Sequence, residues 1–258
     1  MSFDPDLTAC AQLVERGDPD RFAATMAAPV DLRRVLFPIY AFNVEVSRAP
    51  WVTQETLIAE MRLQWWADAL SEIEAGGLVR RQEVVTSLAH VLNQESARLL
   101  QKVVTARSWD AQREPFEDAD ALDAYLEDTS STLLNAAALA ISGSPSDALC
   151  DLGYASGLAQ YLRAVPELER HGRRPLVDGR PEAVAALARK GLDRLERARR
   201  NRTAVPLKLR PVALAGWQAA PLLKQAAANP QNVADGTLAV SDARKKLRLV
   251  WQAASGRW

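Results

Sequence analysis

Proline and glycine cut this chain into segments that read almost entirely in the helical period, and that excludes most folds before any motif is considered. Asp18-Pro19 is expected to open a short helix carrying Arg21 and Phe22. Pro29 opens the next, which runs towards Ala49-Pro50, and Pro38 within it predicts a kink. A further helix fills Thr53–Ala75, stopped by Gly76-Gly77. Helices are also expected at Arg81–Asn93, Glu95–Arg107, Tyr125–Ile141, Ser146–Ala164, Pro181–Asn201, Pro211–Ala228 and Ser241–Ala254. No strand-like alternation, repeat, low-complexity segment or linker interrupts them. The expectation is an all-α, single-domain bundle over residues 1–258, with about ten helices.

Composition narrows the function classes. Lys+Arg and Asp+Glu both number 32, so bulk positive charge for nucleic acid is absent. Cys10 and Cys150 lie far apart, and His90 and His171 are the only histidines. This is no disulfide framework and a poor basis for a His/Cys metal site; it suits a reducing compartment. The start, Met1-Ser-Phe-Asp-Pro-Asp, reads as neither a secretory signal nor a transit peptide. The longest apolar run, near Leu133–Ile141, is far short of the ~20 residues of a membrane helix. A cytoplasmic location is expected, with peripheral membrane contact compatible.

Three helices place polar or small residues on faces expected to point inwards, taking steps of about 100° per residue. Thr53–Ala75 is expected to bury Leu57, Ile58, Met61, Trp65, Trp66, Ala69 and Ile73, with Arg62 near the middle of that arc. A buried guanidinium needs a counter-charge. Arg62 therefore pairs with Asp68 or a carboxylate on another helix, or it faces an anionic ligand. On the preceding helix, Leu36, Tyr40, Asn43 and Ser47 form one stripe, which is either a helix–helix contact or a pocket wall. On the helix ending at Ala164, Gly153, Gly157, Gln160 and Ala164 share a face. Two interior glycines there imply close approach of another helix or of a ligand.

These helices carry a resemblance. Tyr40-Ala-Phe-Asn-Val-Glu-Val-Ser-Arg-Ala-Pro-Trp51 resembles the first-motif helix of the squalene/phytoene synthase family, and Met61-Arg-Leu-Gln-Trp-Trp-Ala-Asp-Ala-Leu70 resembles the helix after it. Glu127-Asp-Thr-Ser-Ser-Thr-Leu-Leu134 is similar to its mid-chain helix. Gly157-Leu-Ala-Gln-Tyr-Leu-Arg-Ala-Val-Pro-Glu-Leu168, followed by Gly172-Arg-Arg-Pro-Leu176, is similar to its second-motif region. The resemblance covers about residues 20 to 255. It implies an isoprenoid-synthase-like helical bundle with a central cavity. In active members, two aspartate-rich motifs face each other across that cavity and hold magnesium, which grips a prenyl diphosphate.

Carried over residue by residue, the match fails at the metal. The first motif's aspartates align with Ser47, Arg48 and Trp51. The second motif's outer aspartates align with Ala164 and Leu168, leaving Glu167 as the acid, and Pro166 is expected to break the helix there. Arg163 and Gly172-Arg173 do match. The pattern looks closer to a branch that includes a mitochondrial assembly factor for respiratory complex I and its bacterial relatives. The resemblance thus implies a respiratory-chain client, no cofactor, and a cavity retained for a prenyl diphosphate or lipid. Its expected lining is Tyr40, Asn43, Ser47, Arg48, Arg62, Trp65, Gln160, Arg163, Ala164, Glu167 and Arg173. The competing expectation is a working prenyltransferase in which Arg48, Arg62, Arg163 and Arg173 replace some of the metal charge and Glu45, Asp68, Glu72 and Glu167 converge on the cavity as the candidate magnesium ligands.

Two charged stretches remain. Arg189–Arg202 holds seven basic residues and two acids, with Asp193–Arg197 and Glu196–Arg200 spaced as i,i+4 pairs on a solvated face or one meeting anionic lipid or an acidic partner. Asp110–Asp128 holds eight acids and Arg113, and reads as a solvated connection and helix start, with weak cation binding as the alternative. Of the seven tryptophans, Trp51, Trp109, Trp217 and Trp258 sit near proline or in loop-like sequence.

Overall fold

The computed structural model describes residues 4–53 and 55–258. Met1–Phe3, at the start read above as leader-free, and Gln54, in the expected first turn of the Thr53–Ala75 helix, lie outside the described residues. Among the described residues there are helices and no strands.

Local chemistry sets most helix ends. α1 (Pro5–Gly17) and α2 (Pro19–Met26) each begin with proline after an aspartate whose side chain accepts a backbone N–H, from Asp6 to Asp4 and from Arg21 to Asp18. α1 was not expected, although Asp4-Pro5 carries the same signal as Asp18-Pro19. α3 (Val30–Arg48) continues through Pro38. α4 (Thr56–Ala75) ends at Gly76, whose φ of 69° suits glycine. α5 (Glu83–Ala89) is capped by Gln82, and α6 (Gln94–Gln112) by a reciprocal Asn93–Ser96 box. α7 (Ala119–Leu126) leads through a π-helical turn, Glu127–Ser131, into α8 (Thr132–Ser142). α9 (Asp147–Arg170), α10 (Pro181–Arg200), α11 (Ala219–Ala228), the single turn α12 (Gln231–Ala234) and α13 (Asp242–Ser255) follow, with a 3-10 segment at Leu207–Gly216.

α9 is the central helix. From Asp151 to Ala159 every residue is buried, as expected of a helix enclosed by others. It packs against α10, α11, α8 and the π turn, while α4 lies along α6 and α1 against α3 and α5. One apolar core runs from Cys10 to Trp258. α9 also runs through Pro166 to Arg170, contrary to the expected break. Leu162 and Val165, both buried in the turn just before the missing N–H, hold it in place.

The glycine face of α9 meets the π turn. A Cβ at Gly153 would sit 2.6 Å from the Ser131 Cα and 2.8 Å from the Ser130 carbonyl oxygen, both backbone atoms. At Gly157 it would meet the Ser130 hydroxyl at 2.3 Å and the Ser130 Cβ at 2.5 Å. The close approach is therefore to another helix. Gly153→Val is expected to lower stability by about 3 kcal/mol, because the opposing backbone cannot yield. Gly157→Ala is expected to lower stability by about 1 kcal/mol, because Ser130 can rotate its hydroxyl away but not its Cβ, and this overpacking outweighs the helix propensity that alanine adds. Thermal unfolding of both variants checks the account; a loss under about 1 kcal/mol for Gly153→Val would refute the backbone contact.

Candidate functional site

A cavity of about 600 Å³ opens where α3, α9, α6 and the π turn converge. α3 contributes Asn43, Ser47 and Arg48, with Trp51 just beyond it. α9 contributes Gly157, Gln160, Arg163, Ala164 and Glu167, and the chain after it contributes His171 and Arg173. Thr129 and Ser130 come from the π turn, a distortion that recurs at functional sites. The α6 end brings Arg107, Trp109 and Asp110; the α1–α2 junction brings Asp18, Asp20 and Arg21.

Eight of the eleven expected lining residues are thus gathered here. Arg62 and Trp65 line a smaller adjoining hollow of about 300 Å³, shared with Glu45 and Arg48. Tyr40 lies behind the wall, fully buried, with the Arg21 guanidinium 5.6 Å from its ring centre. The expected inward face of α4 is overturned only in part, since Trp66, Ala69 and Ile73 are buried as expected. Leu57, Ile58, Met61 and Trp65 are exposed, and Arg62 with them. The buried stripe is Ala59, Leu63, Trp66, Leu70 and Ile73. Apolar residues surround this helix, so periodicity could not fix its phase. Arg62 consequently needs no buried counter-charge, and the Asp68 carboxylate accepts from Gln64 at 2.7 Å.

The cavity's charges answer one another. Arg21 meets Asp18 at 2.5 Å and Arg163 meets Asp20 at 3.2 Å. Arg107 donates to Asp110 at 3.0 Å and to the Tyr125 hydroxyl at 2.6 Å, and that hydroxyl donates to Asp110 at 2.9 Å. The buried Arg173 donates to the Asp110 carbonyl and lies 4.8 Å over the Trp51 ring. Burial lowers the Arg173 pKa. Burial acts likewise on Arg107, but Tyr125 and Asp110 outweigh it and raise that pKa. Trp109 stacks on Phe116 at 3.8 Å behind this network.

Sequence reasoning missed Arg21, Arg107, Asp110 and Tyr125. It assigned Asp110 to a solvated stretch, whereas α6 extends to Gln112 and buries it. The i,i+3 spacing of Arg107 and Asp110 was the available signal. The expected i,i+4 pairs on α10 are also replaced by longer-range ones. Arg197 reaches Asp151 at 2.6 Å, Lys190 pairs with Asp123, and Arg194 with Glu127 and Asp151. The basic helix thus neutralises part of the acidic stretch.

Magnesium does not fit this donor set. By the resemblance, Ser47, Arg48, Trp51, Ala164 and Leu168 stand where the motifs carry acids, and Arg170 and His171 engage Glu167. Glu45 lies 3.6 Å from Arg48 and Glu72 lies 2.6 Å from Arg80. The four carboxylates required by the prenyltransferase expectation are dispersed. No group of three or more His, Cys, Asp or Glu among the described residues is placed to hold a metal.

A helical bundle enclosing an arginine-lined cavity beside a π turn defines a protein of the isoprenoid-synthase fold class. Solved structures agree. A dehydrosqualene synthase in complex with ligand superposes with a TM-score of 0.77 at 17% identity, covering 97% of this chain and 95% of its own. A squalene synthase from Alicyclobacillus acidocaldarius gives 0.69 at 16% identity, covering 86% and 92%. The squalene/phytoene synthase profile matches residues 14–176, and the chain belongs to that family. Relatives named NADH dehydrogenase (ubiquinone) complex I assembly factor 6 are also similar. The Drosophila melanogaster homolog is 35% identical, covering 61% of this chain and 50% of its own; the Homo sapiens protein is 28% identical, covering 64% and 50%. This chain therefore spans about half the length of these relatives. No helix among the described residues is long and apolar enough to cross a membrane.

Proposed function

We propose that this protein is an assembly factor for respiratory complex I, built on a prenyl-synthase scaffold whose cavity accepts a prenyl or lipid group without magnesium. The observation that carries the reading is the replacement of the motif acids by Ser47, Arg48, Trp51, Ala164 and Leu168 on cavity-forming elements. An Arg48 at a metal-ligand position reverses the local charge and repels a divalent cation. Relatives named for complex I assembly supply the client.

Purified protein incubated with farnesyl or geranylgeranyl diphosphate and Mg²⁺ is expected to release no diphosphate, and deletion of its gene is expected to lower assembled complex I. Magnesium-dependent turnover that disappears in Arg163→Ala would sink the reading, as would unchanged complex I in the deletion strain.

A further inference from the structure

α13 presents its apolar face to solvent. On the helical wheel Ala243, Leu247, Val250 and Ala254 fall within about 60° of one another, with Trp251 at the edge of that arc. Leu247 is 73% exposed, Val250 67% and Trp251 54%, so this is the outward side. The opposite side fastens the helix. Leu249 packs with Ala24, Leu214 and Trp217, and the Arg248 Nε donates to the Trp217 carbonyl at 2.7 Å. A globular helix ordinarily shows the reverse arrangement, with its charges outward.

The surrounding charge has one sign. From Asp242 to Arg257 there are five basic residues and one acid, and Arg244 and Lys246 flank the apolar arc on either side. The end of α10 adjoins this helix, where the Arg199 Nε donates to the Trp258 carbonyl at 2.9 Å. From Arg199 to Arg210 the chain carries five basic residues and no acid. The apolar face is convex, being the outside of one helix rather than a groove. It suits insertion of Leu247, Val250 and Trp251 into a soft apolar layer beneath negative headgroups, with Arg244 and Lys246 at headgroup level.

We infer that α13 is an interfacial helix that seats the protein on an anionic lipid bilayer, lying in the plane of the membrane with Leu247, Val250 and Trp251 inserted. This goes beyond the proposed assembly role and does not depend on the cavity.

Co-sedimentation of the full chain with phosphatidylcholine vesicles, with and without phosphatidylglycerol, tests it. Binding is expected to require phosphatidylglycerol and to weaken with salt. Arg244→Glu with Lys246→Glu should weaken binding about tenfold or more. Leu247→Glu with Trp251→Glu should do the same while leaving the thermal midpoint near that of the parent, since both side chains point outwards. A blue shift of tryptophan emission on binding should be lost in Trp251→Phe. The inference fails if the protein ignores anionic vesicles, or if the apolar double variant binds them like the parent. Equally tight capture by soluble polyglutamate, indifferent to Leu247 and Trp251, would make this an acidic-protein site and overturn it.

Discussion

In an alkaline titration the four tyrosines are expected to stay protonated until the chain unfolds, and stability should collapse steeply above pH ~10. Burial raises the pKa of each, reinforced at Tyr154 by a 2.5 Å hydrogen bond to Asp123 and at Tyr161 by the charge of Asp110. At Tyr125 burial and Asp110 outweigh the opposing pull of Arg107. Burial also pushes the Cys10 thiol from 9.0 up to about 11. The sign follows from which state ionises first. An unfolded tyrosine loses its proton near pH ~10 while the folded one keeps it, so rising pH draws the equilibrium towards the unfolded chain. The contribution is complete below the unfolded values and is lost as pH climbs towards the folded ones. Each tyrosine adds a slope of up to about 1.4 kcal/mol per pH unit, hence at most about 6 kcal/mol per unit for the set. Thermal midpoints should be flat to about pH 9, where cysteine first ionises in an unfolded chain, and then fall. Tyrosinate absorbance should rise together with the loss of helical ellipticity. Two or more tyrosines titrating near pH ~10 in the folded protein would refute this.

Proline, glycine and cap residues act within one helical turn, so Pro29, Gly76, Asn93 and Ser146 marked boundaries close to the observed ones. Inward placement of Asn43, Ser47, Gln160 and Ala164 could be read because one helix face decides it and neighbouring apolar residues fix the phase. α4 lacked that contrast, so its phase was lost and Arg62 was turned inwards. Ion pairing was harder still. Which acid meets Arg163 depends on bringing Asp20 across 143 positions of chain, and nothing local encodes it. Pro166 shows the opposite failure, where tertiary burial of Leu162 and Val165 overrode a correct local rule.

Removing the Asp110 carboxylate is expected to be the most damaging single change in the cavity wall. Asp110 is 5% exposed, and it accepts from both Arg107 and Tyr125. In Asp110→Ala the Arg107 guanidinium keeps its charge with its nearest counter-ion gone, and its Nε already has no partner. Breaking one side of such a pair costs about 3–5 kcal/mol, more than the pair itself is worth. Tyr125→Phe removes hydrogen bonds but no charge, so about 1 kcal/mol is expected there. Arg107→Met combined with Asp110→Leu should recover much of the loss, because no charge is then left buried. Urea unfolding of the three variants tests the order; a loss under about 1 kcal/mol for Asp110→Ala would show that water screens Arg107 from the cavity side. A second measurement separates charge from packing. In the parent protein Arg21, Arg107 and Arg163 each meet a carboxylate and Arg173 is held by a carbonyl and the Trp51 ring, so pyrophosphate should stabilise it little. In Asp110→Ala a cation is released towards the cavity, and pyrophosphate should restore part of the lost stability by binding the folded state alone. Restoration by pyrophosphate and not by added sodium chloride locates the effect in the cavity's uncompensated charge. Equal restoration by both would assign it to general screening and leave Asp110 a structural residue only.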